Sequence, residues 1–520
     1  MTEVKQQNSD VLTLEEAAKF IRVSEKTLGH MARSRKVPCQ RVGREWRFLR
    51  TALESWLAHN AGPLFAAVDS GAPAQARGTG EALSANGGGF KDTAFRLNRK
   101  QPLHRWVPWI AGFSADFVDD ILRRASGPSK RELAVIDPFA GVGTTLVEAM
   151  LQGHRPIGFE INPYAALACR LKLQSPDFDV AELRKAVERF DDFMLRAARM
   201  KMPAARAVPP EDFRSRVRFF SPRVERMSLY ALDFARTVRT PWIADLFRLA
   251  FGSVMVGCSN YTYEPSLGTR QAAGKPNIED APIGQAISSK LGEMADDIEY
   301  VQRTLGKRHA RPKPLVLQES YLDGTEAIAE HSVDLLITSP PYLNNYHYIR
   351  NTRPQLHWLS LISGMEELRK LEQTSFGKFW QTVRGGADIR LDFSYPELEE
   401  VIGLVARQNP ERGEYGGRGW ANYAATYFND CLRFCNVTKR LLKSGATAVV
   451  VIGNNILQGI EVKSDIFLAG IAERAGFEVV AIHTVREKRT GSSIINSSVR
   501  VGEAKHRVQL YESAVELRVR

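Results

Sequence analysis

The segment Val333–Tyr348, VDLLITSPPYLNNYHY, is an apolar run that ends abruptly in Ser339, Pro340, Pro341 and Tyr342. Proline has no amide hydrogen, so a turn built from two prolines offers carbonyl oxygens without a competing donor. The Ser339 hydroxyl can accept a further hydrogen bond, and the Tyr342 ring offers a flat face for stacking. These four residues therefore have the chemistry to hold an amino group on a planar ring, and they are the candidate catalytic residues.

A second group of chemically suggestive residues surrounds a glycine turn in VIDPFAGVGTT, residues 135–145. An apolar run ends at Asp137, and Gly141 and Gly143 allow the backbone to turn sharply and approach a ligand closely. Glu160 follows the next apolar run, where a carboxylate can accept hydrogen bonds from both hydroxyl groups of a ribose. The pattern predicts a nucleotide-like ligand. It lacks the Gly-Lys-Ser/Thr of a Walker phosphate loop and the third glycine of a dinucleotide fingerprint.

The combination of D-P-F-x-G-x-G-T-T, helix, strand and acid resembles the S-adenosylmethionine-binding motif of amino-methylating DNA methyltransferases. In that family the glycine turn and the first acid hold the methionine part of the cofactor, and the second acid holds the ribose. The resemblance implies an adenine contact in LQESYLDG, although this segment departs from the family's usual Gly-Asp pattern. It also implies that Trp106 and Phe113 close the pocket. The residues implied in cofactor binding are Asp137, Pro138, Phe139, Gly141, Gly143, Thr144, Glu160, Asn162, Glu319 and Ser320.

The sequence SPPYLNNYHYIRNTRPQLHWL resembles the catalytic motif of the N4-cytosine and N6-adenine DNA methyltransferases. The implied reaction is in-line transfer of the cofactor's sulfonium methyl group to an exocyclic amino group of a flipped base. Acceptors that hold the two amino hydrogens would favour a pyramidal nitrogen with its lone pair aimed at the methyl group. Serine in the first position is commoner among N4-cytosine enzymes, so the sequence favours cytosine N4 over adenine N6.

Other interpretations of the two motifs stay open. The same chemistry could act on RNA or on a protein glutamine, because similar proline turns serve planar amides elsewhere. An inactive methyltransferase fold could also serve as a DNA-binding regulator, although the intact glycine and proline motifs argue against it. Cys39 lies in PCQ, which mimics the nucleophile motif of C5-cytosine enzymes, but it precedes the cofactor motif and is assigned no role.

The elements that must position these residues form an α/β pattern. Strand-like segments alternate with helices, which predicts a mostly parallel sheet with helices on both faces, and the resemblance implies a Rossmann-like methyltransferase fold. Ligands of such sheets bind beyond the carboxyl ends of the strands, where Asp137 and Ser339 both follow a strand. The predicted strands lie in ELAVIDPF, RPIGFEI, SVDLLITS, ATAVVVIG and FEVVAIHTV.

The first sixty residues carry a different pattern. Thr13 and Ser24 can each cap a short helix, a tight turn separates the two helices, and RVGREWRF reads as a small hairpin. The segment resembles excisionase-type winged-helix modules related to MerR-like regulators; a small protein-interaction module is the alternative. The resemblance implies that the second helix enters the major groove of DNA. The implied DNA-contacting residues are Lys26, Arg33, Arg35, Arg41, Arg44 and Arg47.

We predict three domains: a winged helix-turn-helix at 1–60, a flexible Ala/Gly/Ser-rich linker at 61–92 and a methyltransferase domain at 93–520. The last has inserts at about 175–310 and 365–425. Two stretches in these inserts are candidates for reading DNA or, equally, for surface loops. One, residues 259–277, contains Arg270 and Lys275, and the other, residues 407–423, is rich in glycine and arginine.

The net charge of +12 favours a polyanionic partner, and the helix-turn-helix points to double-stranded DNA. The resemblance also admits a cognate restriction endonuclease as partner. No apolar run is long enough to span a membrane, and the first residues lack the apolar region of a signal peptide. Five scattered cysteines suit a reducing compartment and give no metal-binding set, so we expect a cytoplasmic protein without a metal.

Overall fold

The computed structural model describes residues 11–21, 23–33, 37–42, 45–50, 53, 95–109, 112–128, 131–200, 202–263, 267–306, 312–488 and 508–520. The chain divides into two compact units, Met1–Arg77 and Gly78–Arg520. The predicted linker at 61–92 lies outside the described residues, as do Arg35 and Arg44, and the side chains of Lys26 and Arg33 are not described either. The predicted domain boundaries therefore stay predictions.

The N-terminal unit contains two short helices and a small antiparallel sheet within its described residues. The strands are β1 (Val11–Leu12), β2 (Gln40–Val42) and β3 (Glu45–Leu49), and the helices are α1 (Leu14–Phe20) and α2 (Glu25–Arg33). β3 lies between β1 and β2. The Thr13 hydroxyl accepts a hydrogen bond from the Glu16 amide, and the Thr13 amide donates to the Glu16 carboxylate, a reciprocal cap that fixes the start of α1. The predicted pair of helices followed by a hairpin is confirmed.

A mostly parallel sheet forms the centre of the larger unit. Its strands and two small hairpins are β4 (Ala134–Asp137), β5 (Arg155–Phe159), β6 (Tyr261–Tyr263), β7 (Leu267–Thr269), β8 (Leu315–Leu317), β9 (Val333–Thr338), β10 (Leu442–Gly453), β11 (Asn455–Leu457), β12 (Ile460–Val462), β13 (Phe477–Lys488) and β14 (Leu510–Val519). Within the described residues, seven strands join in the order β13-β14-β10-β9-β4-β5-β8. β14 is antiparallel to both its neighbours, and the other pairs are parallel.

Helices surround this sheet. Their bounds are α3 (Ala115–Ser126), α4 (Thr144–Leu151), α5 (Pro163–Gln174), α6 (Val180–Arg199), α7 (Pro222–Thr237), α8 (Pro241–Val254), α9 (Ile283–Leu305), α10 (Tyr348–Trp358), α11 (Met365–Thr374), α12 (Trp380–Val383), α13 (Pro396–Ala406), α14 (Gly417–Leu441) and α15 (Ser464–Arg474). The mixed α/β architecture predicted from the sequence is confirmed. Among the described residues, no helix is both long enough and apolar enough to cross a membrane.

The central strands are apolar on both faces because both faces are covered. Val135 and Leu335 pack with Phe117 of α3 on one side, and Ile136 and Leu336 belong to a core shared with α14 and α15 on the other. Adjacent residues of a strand point to opposite faces, so a strand buried on both sides becomes a continuous apolar run. This burial fixes the positions of the strand ends, from which the two motif turns emerge.

The insert predicted at about 175–310 folds mainly into α6, α7, α8 and α9. Phe190 of α6 packs edge-on against Phe234 of α7 and Phe247 of α8, with ring centroids 5.2 and 5.1 Å away. The buried Asp297 carboxylate of α9 accepts hydrogen bonds from the Leu103 amide at 2.9 Å and from Trp106 Nε1 at 3.0 Å. The insert is therefore a packed helical layer that anchors the segment before α3.

Candidate active site

One pocket opens where β4, β5 and β9 end, and it contains members of both motif groups. It encloses about 960 Å³ with its open mouth included. From the predicted cofactor residues it contains Pro138, Phe139, Gly141, Glu160, Asn162, Glu319 and Ser320. From the predicted catalytic residues it contains Ser339, Pro341 and Tyr342. Side chains that the sequence did not single out complete the wall, among them Trp109, Tyr321, Leu322, Tyr346, Tyr348, Phe376, Phe379 and Tyr423.

Asp137 lies behind the pocket wall rather than in it. Its buried carboxylate accepts hydrogen bonds from Thr338 Oγ1 at 2.6 Å and from the Phe139 amide at 3.0 Å. Burial raises the pKa of the Asp137 carboxyl to about 6, although these hydrogen bonds act in the opposite direction. Asp137 therefore ties the ends of β4 and β9 together. The other predicted residues that do not line the pocket are Gly143, Thr144 and Pro340.

The glycine turn is narrow because two backbone positions are left-handed. Gly141 has a φ of +52°, and Gly143, at the start of α4, has a φ of +85°. A Cβ atom at Gly141 would lie 3.1 Å from Trp109 Nε1, and one at Gly143 would lie 3.1 Å from Cys169 Sγ. Glycine is thus required at both places for conformation and for space. Trp109 closes this side of the pocket.

The expected closure by Trp106 and Phe113 is wrong. The Trp106 indole is fully buried against Asp297, and Phe113 is buried in the core between α3 and the sheet. Trp109 of the same segment lines the pocket instead. Trp106 turns away because its indole donates to Asp297, a contact between residues nearly two hundred positions apart.

Glu160 links the glycine turn to the end of β5. One carboxylate oxygen accepts a hydrogen bond from the Gly141 amide at 2.8 Å, and the other accepts one from the Asn162 amide at 2.7 Å. Burial raises the pKa of the Glu160 carboxyl to about 7, and the two amide donors partly offset that effect. Each oxygen keeps a second lone pair, so the carboxylate can still accept hydroxyl donors from the pocket.

Asn162 and Phe139 are held by neighbours rather than free in the pocket. The Asn162 side-chain oxygen caps α5, and its amide nitrogen donates to Thr352 Oγ1 of α10 at 2.7 Å. The Phe139 ring packs edge-on against Phe376, with the centroids 5.0 Å apart. Both contacts connect the cofactor motif to segments that follow the catalytic motif.

The catalytic turn is held by side chains from distant strands and helices. Ser339 Oγ donates to the Tyr342 hydroxyl at 3.3 Å, and that hydroxyl donates to Glu512 Oε1 of β14 at 3.2 Å. The Pro341 carbonyl accepts a hydrogen bond from the buried Tyr427 hydroxyl at 3.0 Å. Sequence reasoning missed Glu512 and Tyr427. The one signal for Glu512 was an acidic residue inside the apolar strand LYESAVELRV.

Burial, followed by the nearby charge of Glu512, raises the pKa of Tyr342 well above its ordinary value. Its hydroxyl therefore stays protonated and can act as a donor. Tyr348 and Tyr423 also line this part of the pocket, and burial likewise raises the pKa of Tyr348. Tyr346 and Phe379 extend the aromatic wall. These residues thus give the pocket wall several flat aromatic rings.

The two inserts that were considered as DNA readers are both attached close to this turn. The Tyr263 hydroxyl and the Leu267 amide of the β6–β7 hairpin donate to the backbone oxygen and the side-chain oxygen of Asn351 in α10, each at 3.0 Å. In the stretch 407–423, the Tyr423 hydroxyl accepts a hydrogen bond from the Asn345 amide at 2.9 Å. Both stretches are therefore joined to the segment that follows Tyr342.

Several predicted DNA-contacting arginines have contacts within their own turns. The Arg41 guanidinium lies 5.8 Å from the centre of the Trp46 ring, and Arg47 forms an ion pair with Glu45. Arg270 Nε donates to the Pro276 carbonyl at 2.8 Å, and the Lys275 amide donates to the Arg270 carbonyl at 2.8 Å. Their contact with DNA stays a prediction.

The second insert contains a cation between aromatic rings. The Arg384 guanidinium lies 4.6 Å from the centre of the Trp380 ring and 4.2 Å from that of the half-exposed Tyr415. Trp380 is stacked on Trp420, with the ring centroids 5.0 Å apart.

No set of His, Cys, Asp and Glu side chains in the described ranges could hold a metal ion.

Comparison with known proteins gives two results. Residues 11–61 match the family described as helix-turn-helix domain. The Type II methyltransferase M.BsoBI of Geobacillus stearothermophilus is 23% identical over 436 residues, which cover 78% of this chain and 84% of that protein.

Further relatives are also Type II methyltransferases. The Type II methyltransferase M.AvaI of Nostoc sp. is 23% identical over 426 residues, covering 78% of this chain and 85% of its own length. The Type II methyltransferase M.MjaII of Methanocaldococcus jannaschii is 36% identical over 104 residues, 19% of each chain. The chain is thus similar to Type II methyltransferases over most of its length and carries an N-terminal helix-turn-helix domain.

Proposed function

We propose that this chain is a site-specific DNA methyltransferase that transfers a methyl group from S-adenosylmethionine to an exocyclic amino group of a flipped base, with cytosine N4 preferred over adenine N6. One observation carries the proposal: Gly141 of the glycine turn and Tyr342 of the proline turn line the same pocket. The Type II methyltransferase relatives support the same reaction class. The sheet order, with the pocket at the carboxyl ends of parallel strands, supports a Rossmann-like methyltransferase fold.

The side of the pocket around Glu160 fits S-adenosylmethionine. The missing Cβ at Gly141 lets Trp109 pack closely over the glycine turn, and the Glu160 carboxylate has lone pairs for two ribose hydroxyls. Tyr321 and Leu322, next to Glu319 and Ser320, give an apolar surface for a purine. When bound, S-adenosylmethionine would supply an electrophilic sulfonium methyl group.

The side around Tyr342 fits a planar base. Rings of Tyr342, Tyr348 and Tyr423 give stacking surfaces, and no charge is needed to hold a neutral heterocycle. The Ser339 hydrogen is directed at the Tyr342 hydroxyl, so the Ser339 lone pairs are left for the amino hydrogens of the base. Fixing the amine in this way aligns its nitrogen lone pair, and alignment is the main requirement of a direct displacement.

DNA recognition would be shared between the two units. In the N-terminal unit, α2 would enter the major groove and Arg41 and Arg47 would contact the backbone or the minor groove. In the larger unit, Arg270 and Lys275, which follow the β6–β7 hairpin, would contact DNA around the flipped base. The Type II relatives support a place in restriction–modification, with an endonuclease of the same recognition sequence as the expected partner.

The test is transfer of labelled methyl from S-adenosylmethionine to double-stranded DNA by the purified full chain. We expect Ser339→Ala and Tyr342→Ala to lower turnover by about 100-fold or more, because both remove positioning of the amine. Tyr300→Ala, at an exposed position of α9, is the matched control and should retain full activity. Wild-type turnover in both pocket variants would refute the assigned roles.

Modification-aware sequencing of DNA from cells that express the chain would then identify the base and the recognition sequence. N4-methylcytosine at one sequence is the expected product. N6-methyladenine would keep the reaction and change the base. Label on RNA or on protein, with none on DNA, would overturn the proposal.

A further inference from the structure

Glu512 of β14 reaches the catalytic turn from a part of the chain that contains neither motif. Glu512 is 8% exposed, and its Oε1 accepts a hydrogen bond from the Tyr342 hydroxyl at 3.2 Å. The approach depends on Gly453 of β10, opposite Glu512 in the sheet. A Cβ at Gly453 would lie 3.5 Å from Tyr342 Cε2, 3.6 Å from Glu512 Cγ and 2.8 Å from the Tyr511 carbonyl oxygen.

A carboxylate at this position fixes the direction of two consecutive hydrogen bonds. It has no hydrogen, so the Tyr342 hydroxyl must donate to it. The Tyr342 oxygen is then available to accept the hydrogen of Ser339 Oγ, 3.3 Å away. With its hydrogen engaged, Ser339 turns its lone pairs toward the pocket, where an amino group needs acceptors rather than a competing donor.

The surroundings of Glu512 favour this single arrangement. The charged group that faces it from β13 is Arg486, whose Nη1 lies 3.9 Å from Glu512 Oε2, on the opposite carboxylate oxygen from Tyr342. The Tyr342 and Tyr348 hydroxyls also lie close enough to feel the charge of Glu512. Gly453, its neighbour on β10, adds no charge.

We infer that Glu512 is a positioning residue for the methyl-transfer step, because it holds Tyr342 as a donor and thereby keeps Ser339 as an acceptor toward the target amine. The inference rests on the proposed function. Glu512 is not among the residues that line the pocket, and it acts through Tyr342.

Glu512→Gln tests the inference because glutamine has nearly the same shape but carries an NH₂ group. The amide can donate to the Tyr342 oxygen, which frees the Tyr342 hydrogen to point at Ser339 and turns the Ser339 hydrogen into the pocket. We expect kcat to fall by about 10- to 100-fold, with the KM for S-adenosylmethionine and for DNA unchanged. Glu516→Gln is the matched control, since Glu516 is a fully buried glutamate of the same strand outside the pocket wall; it should keep the wild-type kcat.

The KM values separate this role from a merely structural one. A change that only turns the Ser339 hydrogen leaves the binding surfaces of the pocket intact, whereas a change that deforms the pocket also raises the KM values. A Glu512→Gln variant with wild-type kcat, or with KM values raised as strongly as kcat is lowered, would overturn the inference.

Tyr342→Phe keeps the inference testable if Glu512→Gln does not fold. It retains the ring but removes the hydroxyl that transmits the effect, and we expect a similar loss of kcat. The double variant should be no slower than the slower single variant, because both changes break one chain of hydrogen bonds. Wild-type kcat in Tyr342→Phe would exclude the role. Absence of methyl transfer by the wild type would instead reject the proposed function itself.

Discussion

Gly141→Ala offers a sharp test of the cofactor side of the pocket. Gly141 has a φ of +52°, and alanine in a left-handed conformation costs about 1–2 kcal/mol. The new Cβ would also lie 3.1 Å from Trp109 Nε1, so the indole or the turn must move by a few tenths of an ångström. Either movement disturbs the hydrogen bond of 2.8 Å from the Gly141 amide to Glu160.

A charge-assisted hydrogen bond of this kind contributes about 1.5–3 kcal/mol, and 1.4 kcal/mol corresponds to about a tenfold change in affinity. We therefore expect Gly141→Ala to weaken S-adenosylmethionine binding by at least about tenfold, measured by calorimetric titration of the full chain. Gly274→Ala is the matched control: Gly274 has a φ of +70°, and nothing lies within 4 Å of its added Cβ. It should lose comparable stability but bind the cofactor normally, and equal affinity in the two variants would refute the reasoning.

Two further predictions concern stability. The pKa values of Asp137 and Glu160 are raised to about 6 and about 7, so these carboxyls bind protons more tightly in the folded protein than in the unfolded chain. The free energy of unfolding should therefore fall as pH rises from about 4 to 7, by about 3 kcal/mol per carboxyl. The difference in unfolding free energy between Glu160→Gln and wild type should grow in favour of the variant over that range, and a pH-independent difference would contradict it. Asp297→Ala should lower the free energy of unfolding by about 3 kcal/mol in chemical denaturation, because Trp106 and Arg105 both lose their hydrogen-bond acceptor. A decrease below about 1 kcal/mol would show that these contacts are dispensable.

The two motif turns could be predicted because their chemistry is local. Gly141 and Gly143 are required by the backbone around them, and Ser339 to Tyr342 follow directly from the end of a buried strand. The meeting of the two turns in one pocket was also expected, since parallel strands place their carboxyl ends at the same edge of a sheet. For these features, neighbouring residues determine the structure.

The missed residues depend on contacts that local sequence does not encode. Glu512 reaches Tyr342 because β14 pairs with β10, and Trp106 turns away from the pocket because Asp297 accepts its indole. The glycine-rich sequence of the stretch 407–423 predicts a surface loop or a DNA-contacting segment, whereas α14 begins within it at Gly417. A Cβ at Gly417 would overlap the Val405 carbonyl oxygen, so glycine serves close packing there.

The hydrogen bond of 2.6 Å between Thr338 and Asp137 has a thermodynamic consequence. Asp137 immediately precedes the segment of the glycine turn, and Thr338 immediately precedes Ser339, so this buried contact joins the two turns in addition to the pairing of β4 with β9. Two ligands that share such a junction are energetically coupled, and the coupling is reciprocal: the factor by which the base alters cofactor affinity equals the factor by which the cofactor alters affinity for the base. Cooperativity between the two substrates would then originate in the sheet itself, beneath the surfaces that either of them touches.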